Sequence, residues 1–275
     1  MTKKMKLVAT LATLLIAAAG VMTFEACNKS SINSNDNVQT EIKNIGLMHN
    51  EGLDEVYKSL KIEFANNRTV DTCVLELTKK TVDSYLHDEY YNDCEKLRIS
   101  LSCSESACNL LLNEQNEHPN TIWFAENETS LTNKEKELLS CIDIILGQPN
   151  IDLDDVLAEF EIIKERVSAE CTYEEKLVMN SAISVGEASC IYWYNNLDDW
   201  CILIGGNSRG WFDWGDVSRE DIAGAIDGAV GGAVAGSVAG GIGALPGAGA
   251  GAVGGGLAAS ATSAVMQIWD HYFNN

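Results

Sequence analysis

His49, Asn50, Glu51 and Asp54 stand close together in the chain. An imidazole beside carboxylates is the raw material of general acid–base catalysis. A working base also needs a partner to orient it, and nothing nearby in the sequence supplies one. A histidine near a helix start usually caps or packs, so no enzyme activity and no cofactor are expected. His87-Asp88-Glu89 reads as a solvated helix end. The sequence holds no H-E-x-x-H, no G-x-S-x-G and no P-loop, and its glycine runs lack the Lys-Ser/Thr of a phosphate cradle. Asp152, Asp154 and Asp155 lack the Gly and Glu of a calcium loop. The cysteines never fall in a C-x-x-C pair, so no metal site is expected.

A second kind of chemistry belongs to Cys27. Lys3, Lys4 and Lys6 form a positive start, and Leu7 to Val21 is an uncharged, mostly apolar run of signal-peptide length. Phe24-Glu25-Ala26-Cys27 follows, and it resembles a bacterial lipobox, in which the thiol after a small residue receives lipid. Phe24 and Glu25 depart from the usual Leu and small residue. The reading is a signal peptide over residues 1–26 and a lipid-anchored Cys27. Ordinary secretion and a retained anchor stand as alternatives. Residues 27–40 then read as a polar tether. The expected location is the cell envelope or the exterior.

Export bears on the other eight cysteines: Cys73, Cys94, Cys103, Cys108, Cys141, Cys171, Cys190 and Cys201. An even count in an exported chain predicts disulfides, at least two of them, with Cys103 and Cys108 near enough to bridge locally. Free buried thiols are the other reading.

The elements that carry these residues read as helices. Ile45, Leu53, Val56, Tyr57, Leu60 and Phe64 recur at helical steps, and so do Val70, Cys73, Val74, Leu77, Thr81 and Tyr85. Asn92 to Leu101 and Ser104 to Asn113 suggest two short helices, and His118 to Asn127 a loop over Trp123 and Phe124. Thr132 opens a helix that Gly147-Gln148-Pro149 stops. Asp152 caps the next. Thr172 with Glu175 forms a capping box for a helix through Val185. Ser189 to Tyr194 and Trp200 to Ile204 are short apolar runs that fit helix better than strand. The predicted fold is all-α: a disulfide-braced helical body over residues 41–204, then a linker over 205–221.

Beyond the linker the composition changes. Fourteen of the 23 glycines lie between 224 and 256, and no charge occurs between Asp227 and Asp270. Gly224, Gly228, Gly232, Gly236 and Gly240 recur every fourth residue; Gly243, Gly247, Gly251 and Gly255 continue the step after a slip. Such spacing lines one helix face with glycine and lets backbones approach closely. Leu245-Pro246-Gly247 interrupts the run, with Pro246 as hinge. The expectation is a glycine-zipper helical hairpin over residues 222–271, with helices near 222–243 and 249–270. Each would reach about 30 Å, the thickness of a hydrocarbon core. Trp211 and Trp214 precede the pair, and Trp269, Tyr272 and Phe273 follow it, as an interfacial aromatic belt would require. Against insertion, glycine and alanine are barely apolar. A soluble packed hairpin and a flexible arm remain the alternatives.

Two segments carry a resemblance. Gly46-Leu47-Met48-His49-Asn50-Glu51-Gly52-Leu53-Asp54 resembles the start of uncharacterised exported bacterial lipoproteins with a G-x-x-H-N-x-x-L-D segment. Asp221 to Gly256 is similar to the glycine-zipper tails of class II bacteriocin-like peptides and membrane-active effectors. The resemblance implies a secreted or surface-held protein that permeabilises membranes. Its partners would be membrane lipid, further copies of itself through the zipper, and an immunity protein. A non-toxic envelope lipoprotein, acting as a binding or structural module with the hairpin packed on the body, is the alternative. Net charge is -21, and a chain so acidic repels nucleic-acid phosphates, so no nucleic-acid partner is expected.

Overall fold

The computed structural model describes residues 34–66, 73–113, 131–148, 152–203, 214–238 and 244–273. Apart from Ser34 and Asn35 they fall in one compact unit, Asp36–Asn275. Among the described residues there are eight helices and no strand, as the sequence pattern predicts. They are α1 (Ser34–Asn66), α2 (Cys73–Glu89), α3 (Cys94–Asn113), α4 (Asn133–Leu146), α5 (Leu153–Glu170), α6 (Tyr173–Leu203), α7 (Trp214–Val238) and α8 (Ala244–Phe273). The signal-peptide and Cys27 assignments, the loop over Trp123 and Phe124, Gly205 to Gly210, Trp211, Gly240 and Gly243 lie outside the described residues.

Local chemistry starts the helices where the sequence places their caps. Thr132 accepts from the Glu135 backbone while the Glu135 side chain accepts from the Thr132 backbone, a complete capping box. Thr172 and Glu175 do the same at 2.7 and 3.3 Å. The Thr132 hydroxyl also donates to Glu175 at 2.7 Å, tying the two helix starts together. Asp152 accepts from the Asp154 amide at 2.9 Å.

Two of the expected breaks are absent. Cys94 to Asn113 is one helix, and α6 runs on from Val185 through Ser189 to Tyr194 and on to Leu203. Neither stretch contains a proline, and the glycine inside α6 serves packing. A Cβ on Gly186 would meet Ile222 of α7 at 2.6 Å. Helix α7 starts at Trp214, ahead of residue 222, and Pro246 stands in the first turn of α8. A proline there forfeits no hydrogen bond, because first-turn amides have no intrahelical acceptor.

Helix α8 is the axis of the body. It packs on α7, α3, α6 and α2, and every residue from Gly247 to Val265 is buried. A helix buried all round needs no polar face, which is why this segment lacks the amphipathic stripe of α1. In α1, Ile45, Leu53, Val56 and Leu60 are buried. In α6, Trp193 and Trp200 are 0% and 1% exposed, with ring centroids 5.1 Å apart and planes tilted by 57°.

The expected disulfides are not found. Cys94, Cys103, Cys108, Cys141, Cys171, Cys190 and Cys201 are all free thiols; the Cys73 side chain lies outside the described residues. Cys103 and Cys108 share α3, so their backbones are separated by about 7.5 Å of helix rise. A bridge needs Cα atoms within about 7 Å. Their sulfurs serve α7 and α8 instead: Cys103 lies 3.7 Å from the Gly228 carbonyl, and Cys108 lies 3.6 Å from the Thr262 hydroxyl.

Candidate functional site

The helix splits the group around His49. His49 faces the core at 0% exposure. Asn50 turns to α6 and donates to the Ala188 carbonyl at 3.0 Å. Glu51 and Asp54 line a groove of about 690 Å³ together with Tyr85 and Asp88 of α2. The four residues therefore do not converge on one point.

His49 instead meets residues far away in sequence. Its Nε2 lies 3.7 Å from Asp221 of α7, which is also 0% exposed. Its Nδ1 is 2.9 Å from the Asn50 side chain. Asp221 accepts a short hydrogen bond from Ser189 of α6, and Ser189 lies 3.2 Å from Ser218. Ser260 of α8 and Trp193 of α6 also hydrogen-bond toward Asp221, and the Trp193 indole donates to Ser260 at 3.2 Å. Four helices thus contribute to one buried polar cluster. Sequence reasoning missed Asp221 and Ser189. No local signal in the sequence marks either residue.

Burial sets the protonation of this cluster. It pulls the His49 imidazole down to about 4 against the opposing Asn50 bond. It pushes Asp221 well above the ordinary carboxylate range, despite the hydrogen bonds from Ser189, Ser260 and Trp193. It lifts neighbouring Glu220 up to about 8. Cys190, fully enclosed beside them, is pushed up to about 12. Burial thus keeps the imidazole neutral near pH 7 and disfavours the charged form of the Asp221 carboxyl. Ser189 donates to the carboxyl and not to His49, so the order of a hydrolase relay is absent. Among the described residues no group of three or more His, Cys, Asp or Glu is placed to hold a metal.

The glycines form a second constellation. A Cβ on Gly224 would meet the Gly255 carbonyl oxygen at 2.5 Å. One on Gly228 would overlap the Gly251 carbonyl, and one on Gly232 would overlap that of Gly247; the reverse substitutions overlap in the same way. These pairs run in opposite directions along the two chains, so α7 and α8 are antiparallel. Gly236 is buried, and its Cα would lie 3.2 Å from a Cβ on Gly247. A further face, not singled out in the sequence, turns toward the body. A Cβ on Gly254 would overlap the Ser100 carbonyl of α3, and one on Gly256 would meet Val185 of α6 at 2.9 Å. Gly46 and Gly52 do likewise for α1 against Ser184 and Leu257.

Among the described residues no helix is long and apolar enough to cross a membrane. Comparison with protein-family models, curated proteins and solved structures finds no match.

Proposed function

We propose that this chain is an exported, lipid-anchored, non-enzymatic envelope protein that keeps a glycine-zipper hairpin packed within its helical body and associates with membrane lipid through it. The observation that carries the reading is the unbroken burial of α8 from Gly247 to Val265 at the centre of the bundle. Glycine costs an isolated helix about 1 kcal/mol relative to alanine at each position. A helix so rich in glycine therefore depends on close packing, against the body, against its hairpin partner, or against further copies in lipid. Between Gly228 and Trp269 the chain carries no charge that would oppose transfer into lipid. Cys27 supplies the anchor, and the resemblance to bacteriocin-like tails adds self-association and an immunity protein as partners.

A second reading keeps the hairpin in the body permanently, as the packing core of a binding or structural lipoprotein. The weak apolarity of both helices favours it.

Flotation separates the two. The full chain carrying Cys27→Ala, which removes the acyl anchor, is mixed with phosphatidylcholine vesicles at neutral pH. Zwitterionic lipid avoids repulsion of an acidic protein. Membrane association predicts that a salt-resistant fraction floats and releases entrapped dye. A chain that stays wholly at the bottom of the gradient, without leakage, overturns the membrane reading and leaves permanent packing.

A further inference from the structure

Helix α7 repeats itself every four residues. Ile222, Ile226, Val230 and Val234 hold one position of the repeat, Gly224 to Gly236 a second, and Ala225, Ala229 and Ala233 a third. In the structure Gly224, Gly228 and Gly232 lie against Gly255, Gly251 and Gly247. Advancing α7 by one repeat would set Gly228, Gly232 and Gly236 against the same three glycines. Ile226 would take the place of Ile222, and Ala229 that of Ala225. The move is a screw of about 6 Å and about 40°. Apolar burial favours it, because Val234 is 49% exposed and would pass to the half-buried place of Val230. The zipper alone therefore does not select the alignment that is observed.

The repeat breaks at Asp221, whose counterpart one repeat on is Ala225. Asp221 is 0% exposed and meets three other helices. Ser189 of α6 donates to it, Ser260 of α8 hydrogen-bonds toward it, and Nε2 of His49 in α1 lies 3.7 Å away. His49, Ser189 and Ser260 are themselves 0% exposed. With α7 advanced, Ala225 would stand among them and Asp221 would pass to the buried place of Val217. Buried polar groups that lose their partners oppose that alignment. A single buried polar residue sets the register of a coiled coil in the same way.

We propose that Asp221, with His49, Ser189 and Ser260, is a register lock: it selects one of two alignments that the repeat of α7 permits, and moving the carboxyl by one repeat moves α7 with it. The lock concerns alignment alone and stands whether or not the pair enters a membrane.

A native thiol reports the alignment. A Cβ on Gly231 lies 3.9 Å from the Cys103 sulfur of α3, and advancing α7 brings Ala235 to that place. Gly231→Cys and Ala235→Cys are made separately in the lipid-free full chain and oxidised briefly with copper phenanthroline. Links to Cys103 are quantified by mass spectrometry after non-reducing digestion. With Asp221 in place, the link from position 231 should dominate. Asp221→Asn keeps an acceptor for Ser189 and adds a donor toward His49, so it should keep that preference. Asp221→Ala should narrow the ratio by about tenfold, the effect of one buried polar group left unpaired. Asp221→Ala combined with Ala225→Asp should reverse it. Equal links in the parent chain, an unchanged ratio in Asp221→Ala, or a combined variant that still links through position 231 overturns the lock. Failure of the combined variant to fold, read by circular dichroism, also overturns it, because the lock requires a stable advanced alignment. That variant decides even where Asp221→Ala alone does not fold. Absence of lipid keeps the outcome separate from the flotation result.

Discussion

Buried thiols on the helical surfaces of this protein act as small apolar groups, and their surroundings explain why they stay unpaired. Cys103, Cys108 and Cys190 each touch a helix that carries no cysteine among its described residues. Burial raises Cys103 and Cys190 to about 12, far from the reactive thiolate form. Cys94 is exposed. Iodoacetamide at pH 8 is therefore expected to modify Cys94 within minutes and to leave Cys103 and Cys190 unmodified until denaturant is added. Non-reducing digestion should yield no linked peptide among the seven; recovery of a Cys103–Cys108 or Cys190–Cys201 link would contradict the packing. The residue scale also marks where sequence reading stops. His49 was visible as an unusual side chain, but its partner Asp221 is far away in the chain. Periodicity reports which face is buried and not what it is buried against.

Helices were legible wherever their signals were local. The caps at Thr132, Asp152 and Thr172 need only the next three residues, and all three form as expected. The stripe in α1 likewise reports its own buried face. The glycine run was harder, because glycine on every side of α8 hides which face meets which neighbour. Gly224, Gly228 and Gly232 of the four-residue step lie against Gly255, Gly251 and Gly247, while the Gly254 face against α3 has no periodic mark. Substitution within α7 separates packing from propensity. Gly228→Ala would place a methyl on the Gly251 carbonyl and should cost about 1–3 kcal/mol, as overpacking does. Gly231→Ala has only the Cys103 sulfur near it, at 3.9 Å, and should gain up to about 1 kcal/mol of helix propensity. Opposite shifts in the urea midpoint are expected. A stabilised Gly228→Ala would show that the two helices do not touch there.

For the whole molecule, the central fact is that one glycine helix serves two interfaces with different consequences. Gly251 faces α7, and Gly254 faces Ser100 of α3. A methyl at Gly251 forces the two glycine-rich helices apart. A methyl at Gly254 pushes the intact pair off the body. Both variants should lower the urea midpoint, since both overpack a buried contact. They should part company in the presence of lipid. If the body stores the hairpin, weakening the α8–α3 contact by about 1–3 kcal/mol raises the released population roughly 5- to 150-fold, and Gly254→Ala should float with phosphatidylcholine vesicles more than the parent chain. Gly251→Ala should float less, because the released helices no longer fit each other. A permanently packed core predicts otherwise: both variants lose stability alike and neither floats. The comparison turns on two neighbouring glycines that differ only in the direction they face, so the difference in flotation reports the hairpin's release and not a general loss of fold.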